Sequence, residues 1–369
     1  MRPVYTQLWS VAMHRSIASN TSIRLVAFGL LLSLFLYSNT TFSQDIHLSH
    51  IHASPTHLNP AMTGLFNADL RFIANYKGQW NSFTNGYRTM VASADMKLNK
   101  GIGNRDDVGV GIMAIGDQAG DLKFRTLNVG LSVSYLKALN ATGTHFLSAG
   151  IQTGIIQQRL NTSLAILEEE FDPYIQNPDF MGTVSAFDLS AGLAWFVPVG
   201  RRNHVYLGAS MWHINRGFVA FQQNQVDAPD SYFLFPKTVI HGGAHLRINY
   251  VLTLKPSFIF LDQGPHREIN MGTFFSLQAV DQYVRPEYTI YFGAWFRWSM
   301  EEGEFNRDAL IASVRYDWKN TIFTFSYDIN ISDLARASRY QGGPELSIIH
   351  YIDFFRTDRL NFKVKCPEF

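Results

Sequence analysis

Several stretches of this chain alternate, residue by residue, between large apolar side chains and small polar ones. Leu127, Val129, Leu131, Val133 and Tyr135 are interleaved with Asn128, Gly130, Ser132 and Ser134. Phe187, Leu189, Ala191, Leu193 and Trp195 alternate with Asp188, Ser190, Gly192 and Ala194. Leu310, Ala312, Val314, Tyr316 and Trp318 alternate with Ile311, Ser313, Arg315 and Asp317, and Phe323, Phe325, Tyr327 and Ile329 with Thr324, Ser326 and Asp328. A strict period of two is the signature of a strand whose two faces meet different environments. About 14 such segments are expected, near 70–77, 88–97, 108–116, 123–136, 145–156, 186–197, 204–213, 238–248, 250–260, 268–280, 288–297, 309–318, 321–329 and 345–352. Most have the length a tilted strand needs to cross a hydrocarbon core.

A soluble β-sandwich also alternates. Two features favour a membrane instead. The second face is Gly, Ser, Thr and Asn with occasional charges, which suits a lumen. Aromatics also gather toward strand ends, at Tyr135, Trp195, Trp212, Tyr288, Trp295, Trp318, Tyr327 and Tyr351, as interfacial girdles require. Backbone groups in lipid must all be paired, so the strands are expected to close into one antiparallel transmembrane β-barrel. Tight connections at Lys319-Asn320 and around Asn249 contrast with longer ones over 157–185 and 214–237, the asymmetry of an outer-membrane barrel.

Residues 25–37, LVAFGLLLSLFLY, are preceded by Arg24 and followed by Thr41-Phe42-Ser43. The run is too short to span as a helix and suits a signal-peptide core cleaved after Ser43, with Met13 as an alternative start and a buried core helix as the competing reading. The expected organisation is a signal peptide over 1–43, an N-terminal periplasmic or plug segment over 44–69, the barrel over 70–352 and a periplasmic tail over 353–369.

Composition removes several functions. Lys and Arg number 31 against 30 Asp and Glu, so no basic footprint for nucleic acid exists. The single cysteine, Cys366, excludes an internal disulfide framework and a cysteine-rich zinc site, leaving an unpaired or intermolecular thiol. No GxSxG, HExxH, Walker-type loop or complete dinucleotide fingerprint occurs, and Gly109-Val110-Gly111 reads as small lumen-facing residues. His47, His50, His52 and His57 cluster after the cleavage site without a carboxylate partner and read as polar plug residues rather than metal ligands. Glu168, Glu169, Glu170 and Asp172 read as a hydrated loop face rather than a calcium site. Arg297, Arg315, Asp317 and Asp328 fall on lumen faces, where charges pair across strands, and no nucleophile and base can be placed beside them. No enzyme activity, metal or cofactor is expected.

The start of the mature chain, Gln44-Asp45 through Ser54-Pro55 to Leu58-Asn59-Pro60-Ala61 and Gly64, resembles the opening of the PorP/SprF family, outer-membrane proteins of type IX secretion and gliding motility. Asn75-Tyr76-Lys77-Gly78-Gln79-Trp80, Phe171-Asp172-Pro173, Gly208-Ala209-Ser210 with His213, Leu254-Lys255-Pro256-Ser257-Phe258, Gly293-Ala294-Trp295-Phe296-Arg297, Arg307-Asp308-Ala309-Leu310-Ile311, Ser326-Tyr327-Asp328-Ile329 and the ending Cys366-Pro367-Glu368-Phe369 are similar to further family segments. The resemblance implies a non-enzymatic barrel in a Gram-negative outer membrane, contacting the lipid bilayer, periplasmic type IX components and secreted cargo such as adhesins. A diffusion channel is the alternative function, and a barrel-embedded enzyme ranks below both. Asn59, Pro60, Trp80 and Cys366 are the candidate partner-binding residues. Residues 44–64 and the tail are expected to contact the periplasmic side, and the 157–185 and 214–237 loops to meet secreted partners. Asn59-Pro60 and Lys255-Pro256 should sit at strand starts or in the plug, because proline donates no ladder hydrogen bond. Trp80 and Trp295 read as girdle or packing residues.

Overall fold

The computed structural model describes residues 45–46, 48–79, 86–98, 106–120, 123–140, 144–160, 182–200, 203–221, 232–277, 287–301, 304–332, 335 and 341–354. Fourteen strands run in chain order: β1 (Leu70–Gln79), β2 (Tyr87–Lys97), β3 (Asp107–Ala119), β4 (Phe124–Ala138), β5 (Phe146–Arg159), β6 (Thr183–Val199), β7 (Asn203–Trp212), β8 (Lys237–Arg247), β9 (Thr253–Gln263), β10 (His266–Ser276), β11 (Tyr288–Glu301), β12 (Glu304–Trp318), β13 (Thr321–Asn330) and β14 (Gln341–Ile352). Each pairs antiparallel with its sequence neighbours, and β1 pairs with β14 from Leu70↔Ile352 to Lys77↔Glu345, which closes the barrel. Every expected segment overlaps one of these strands. The chain enters β1 and leaves β14 at the same end, and the two longest connections, 160–182 and 213–236, lie at the other. In an outer-membrane barrel the first end is periplasmic and the second extracellular.

The alternation separates two solvents. On β4, Leu127, Val129, Leu131 and Val133 are exposed, whereas Asn128, Ser132 and Ser134 are buried. Exposed in the isolated chain, the first set is the surface that lipid covers. Trp195, Trp318 and Tyr288 also face outward near strand ends, where interfacial girdles lie. Trp212 and Trp295 do not: they are 1% and 2% exposed. Each shares the parity of inward residues, Ser210 for Trp212 and Arg297 for Trp295, and each indole donates from Nε1 to a serine, Ser210 and Ser257 respectively, at 3.2 Å. Tyr351 likewise packs inward, against Ile73, Ile322 and Ile349. Position near a strand end does not select the face; parity does.

The ring encloses an apolar core as well as polar residues. Leu48, Leu58, Ala61 and Met62, from the segment ahead of β1, pack with Val91, Met113, Ile115, Trp212, Val239 and Ile259 on the inner wall. That segment is folded as a 3-10 turn (Ile51–Ala53), a four-residue helix (Pro55–Leu58) and a second 3-10 turn (Pro60–Met62). Proline opens both the helix and the second turn, where an N–H would have no intrahelical partner. Pro256, the other expected breaker, is the fourth residue of β9, near the strand's start.

Two bulges end the simple alternation. Arg297 pairs with Ala309 and Trp298 with Arg307, so Asp308 is the unopposed extra residue. Between β13 and β14, Tyr327 pairs with Pro344 and Ile329 with Gln341. The first bulge turns Asp308 toward Arg297, which donates to its carboxylate and, at 3.0 Å, to that of Asp328, already inward by parity. Because the lipid face demands apolar side chains most strictly at mid-strand, Leu131→Arg at the centre of β4 should lower stability in vesicles by about 2–4 kcal/mol, whereas Leu131→Ile should leave it nearly unchanged. Urea titration of folded barrel, read by the electrophoretic shift on heating, checks this.

Candidate functional site

The site with the richest chemistry is the lumen and the segment threaded through it. Residues 48–66 touch the inner faces of strands on all sides of the ring, which only an interior position allows. The inner face is small because it moulds the backbone of that segment. Three plug carbonyl groups find serine hydroxyls: Ser210 donates to Leu58 O at 2.8 Å, Ser148 to Ala61 O at 2.6 Å and Ser134 to Thr63 O at 2.5 Å. Thr63 adds a hydroxyl bond to Ser132 at 2.9 Å, and Thr56 one to Ser93 at 3.1 Å. The glycines between these serines provide space. A Cβ at Gly150 would stand 2.5 Å from the Pro60 carbonyl and the Ala61 nitrogen, and one at Gly192 would overlap the Asn59 amide oxygen.

Asn59 is the pivot. Its Nδ2 donates to Leu193 O at 2.9 Å and Ala209 O at 3.2 Å, and lies 3.1 Å from His241 Nε2. Its Oδ1 accepts from Ala61 N at 2.9 Å, capping the turn that Pro60 begins. A side chain fully shielded from solvent and satisfied on both ends fixes the register of the plug against β6, β7 and β8.

Charges clamp the plug at three levels. Toward the periplasm, Arg71 forms a bidentate pair with Asp95 at 2.9 and 2.7 Å, donates to Met62 O at 3.2 Å and covers the Phe66 ring at 4.6 Å. Asp95 in turn accepts from Gly64 N at 2.7 Å, and Gly64 adopts φ +70°, a conformation that glycine takes without strain. Breaking a buried pair of this kind leaves an uncompensated charge at a cost of about 3–5 kcal/mol. Midway, Glu345 accepts from Ser49 N at 2.7 Å and His50 N at 3.1 Å, and Asp328 accepts from the Ser49 hydroxyl at 2.6 Å. Asp328 is also held by Arg297, and by Lys77 at 3.5 Å.

At the extracellular end, Asp45 is bound to His213 Nε2 at 2.9 Å and Lys237 Nζ at 2.5 Å, and its own N–H donates to Gln263 at 3.2 Å. His213 Nδ1 is 2.7 Å from Asp188, so the imidazole bridges two carboxylates. His213 sits at φ +56°, a left-handed conformation rare for a side chain with a Cβ, and this aims its ring inward. Burial alone would lower the His213 pKa, but Asp45 and Asp188 together raise it to about 9. Burial would also raise the pKa of Asp45, yet Lys237 and His213 hold it well below the ordinary carboxylate value.

The expected site residues separate accordingly. Asn59 and Pro60 lie together in the plug, buried, with the chain's own wall as their partner. Trp80, Cys366, His47, Glu168, Glu169, Glu170, Asp172 and residues 1–43 lie outside the described residues. The described part of 44–64 is enclosed by the ring rather than displayed at its periplasmic rim, because its unpaired turn backbone requires the serines and charged groups of the wall. Arg297, Arg315, Asp317 and Asp328 point into the lumen, and Arg315 pairs with Asp317 at 2.6 and 2.9 Å. His50 and His57 pack as aromatic rings, His50 edge-on to Trp295 at 4.6 Å and His57 against Trp212 at 5.5 Å. Among the described residues no group of three histidine or carboxylate side chains is arranged so as to hold a metal ion. Sequence reasoning missed the roles of Asp45, Arg71, Asp95 and Glu345, and the bridging role of His213. The available signal was parity: Arg71 and Lys77 share a face with Ile73 and Asn75, which marks an inner face that needs counter-charges.

A family model for the type IX secretion system membrane protein PorP/SprF matches residues 40–347. The chain belongs to the PorP/SprF family. It is an outer-membrane barrel of a Gram-negative bacterium. No curated protein matches it. Among solved structures, this PorP/SprF barrel is similar to the Ralstonia pickettii toluene transporter TbuX, at 11% identity over 85% of this chain and 96% of that one, with a TM-score of 0.45. It is also similar to a Pseudomonas aeruginosa FadL homologue, at 10% identity over 82% of this chain and 94% of that one, with a TM-score of 0.47.

Two outcomes follow from the geometry of this PorP/SprF plug. Gly150→Val places two methyls against Pro60 and Ala61, an overpacking cost of about 1–3 kcal/mol. It should expose residues 48–64 to externally added protease while the barrel itself remains folded. The extracellular latch is pH-dependent with a defined sign. A raised histidine pKa contributes stability below the unfolded value and loses it as pH rises through the folded value. Hydrogen exchange of the Asp45 amide should therefore stay slow at neutral pH and accelerate as pH passes about 9, beyond the ordinary base-catalysed increase seen in His213→Gln.

Proposed function

We propose that this protein is a non-enzymatic, occluded barrel that docks periplasmic type IX components and supports secretion or surface anchoring of cargo such as adhesins. The observation that carries this reading is the polar seat of Leu58–Gly64, where wall serines and Asn59 satisfy the plug backbone within the lumen. Such a plug removes the continuous water path that a diffusion channel requires. A rigid ring then holds the loops at its two mouths at a constant spacing, which suits a part that couples machinery beneath the membrane to partners above it. Family membership supports the secretion setting.

Planar-bilayer recording on the purified full chain should be silent, and Gly150→Val should open steady conductance. Steady conductance from the unaltered protein would instead make it a porin. Gentle solubilisation of outer membranes should recover periplasmic type IX components with the barrel. Unchanged secretion and display of every type IX cargo after gene deletion would end the secretion reading.

A further inference from the structure

A cavity of about 40 Å3 lies in the periplasmic half of the lumen, between the plug and strands β7 to β14. His50 and His52 reach it from the plug, and His204, His245, Lys255 and Arg315 from the wall. Phe274 and Trp295 form part of its lining, while Tyr291 lies beneath the Lys255 ammonium at 4.8 Å and the Arg315 guanidinium at 5.5 Å. Among the described residues that line it there is no carboxylate. The volume holds several waters or one tetrahedral oxyanion.

The imidazoles around this space are unspent. Both ring nitrogens of His50 and of His52, Nε2 of His204 and Nδ1 of His245 are buried without a hydrogen-bond partner. His50 is 2% and His204 8% exposed, so bulk water does not satisfy them. Buried polar atoms left in this state call for an occupant. Four imidazoles, each one N–H donor when neutral, surround the space beside the Lys255 ammonium, an arrangement that matches the several oxygens of a phosphate better than the two of a carboxylate, while Arg315, paired with Asp317, adds to the positive potential.

The wall is interrupted at the same place. The β8–β9 ladder runs to Gly243↔Ser257 and resumes at Leu246↔Leu254, leaving Ala244, His245, Lys255 and Pro256 without ladder partners across it. Pro256 has no N–H to give. All four residues line the cavity, although Ala244 and Pro256 carry the parity of the lipid-facing side. Ala244 and Pro256 lie near the periplasmic ends of their strands, the ends nearer the inner leaflet.

We propose that this cavity is a binding site for a phosphate group, seated among His50, His204, Lys255 and Arg315 and reached at the β8–β9 interruption. The phosphate comes from a phospholipid headgroup of the periplasmic leaflet or from free phosphate in the periplasm. The Leu254–Phe258 segment then places the ammonium and opens the wall with consecutive residues.

The test uses full-length barrel in a non-phosphate detergent, with Trp fluorescence and phosphorus NMR as readouts. Inorganic phosphate, dihexanoyl phosphatidylglycerol and hexanoate are titrated separately. Saturable binding of phosphate alone identifies the free anion as the source, and binding of the phosphatidylglycerol alone or more tightly identifies the lipid; either supports the site. Lys255→Gln and His204→Asn should each weaken that binding at least about tenfold, with Arg267→Gln, an exposed cation at the extracellular end, unchanged. Folding of each variant is confirmed by its heat-dependent electrophoretic shift, and His204→Asn serves if Lys255→Gln does not fold. Absence of saturable binding by both phosphate probes overturns the proposal. So does equal binding of hexanoate, or full affinity in either folded variant.

Discussion

The hydrocarbon core offers no hydrogen bonds, and the rest of this molecule follows from that fact. Each strand must find partners on both edges, so β1 has to meet β14 and the sheet becomes a ring. A ring of fourteen strands leaves an interior wider than its own inward side chains can fill when so many are Gly and Ser. The same chain supplies the filling. The small residues are small because they lie against a second backbone, and their hydroxyls terminate hydrogen bonds that the helix Pro55–Leu58 and the turn Pro60–Met62 cannot make internally.

This gives the lumen a mixed character. Apolar plug residues gather around Trp212 and Met113, while Arg71–Asp95, Glu345 and Asp328 hold the backbone at fixed heights. Removing water from these charges makes them exacting about geometry, and each is met by more than one partner. The result, among the described residues, is a shaped interior that tethers the segment ahead of β1.

The architecture was legible because period two is a direct imprint of two solvents. Strand limits failed where the imprint is broken by geometry. The alternation stops at Arg297 and restarts at Ala309 because Asp308 is an unopposed residue, and the expected last strand starts at Glu345 because the register shifts just before Pro344. Trp212 and Trp295 were expected in girdles from their position along the chain, yet their parity already placed them with Ser210 and Arg297. The Asn59-Pro60 pair stood out as a motif, but nothing local shows that its seat lies on Leu193, Ala209 and His241. The latch is less legible still. Asp45 meets His213 and Lys237 across 168 and 192 residues, a proximity that exists only once the cylinder is closed.

The plug is continuous with β1, and the final strand grips it: Glu345 binds Ser49 and His50, and Asp69 N–H donates to Ile352 O at 3.1 Å beside the seam. The segment is thus gripped by the first and last staves together, and the contacts that seat it are complete only when the seam is joined.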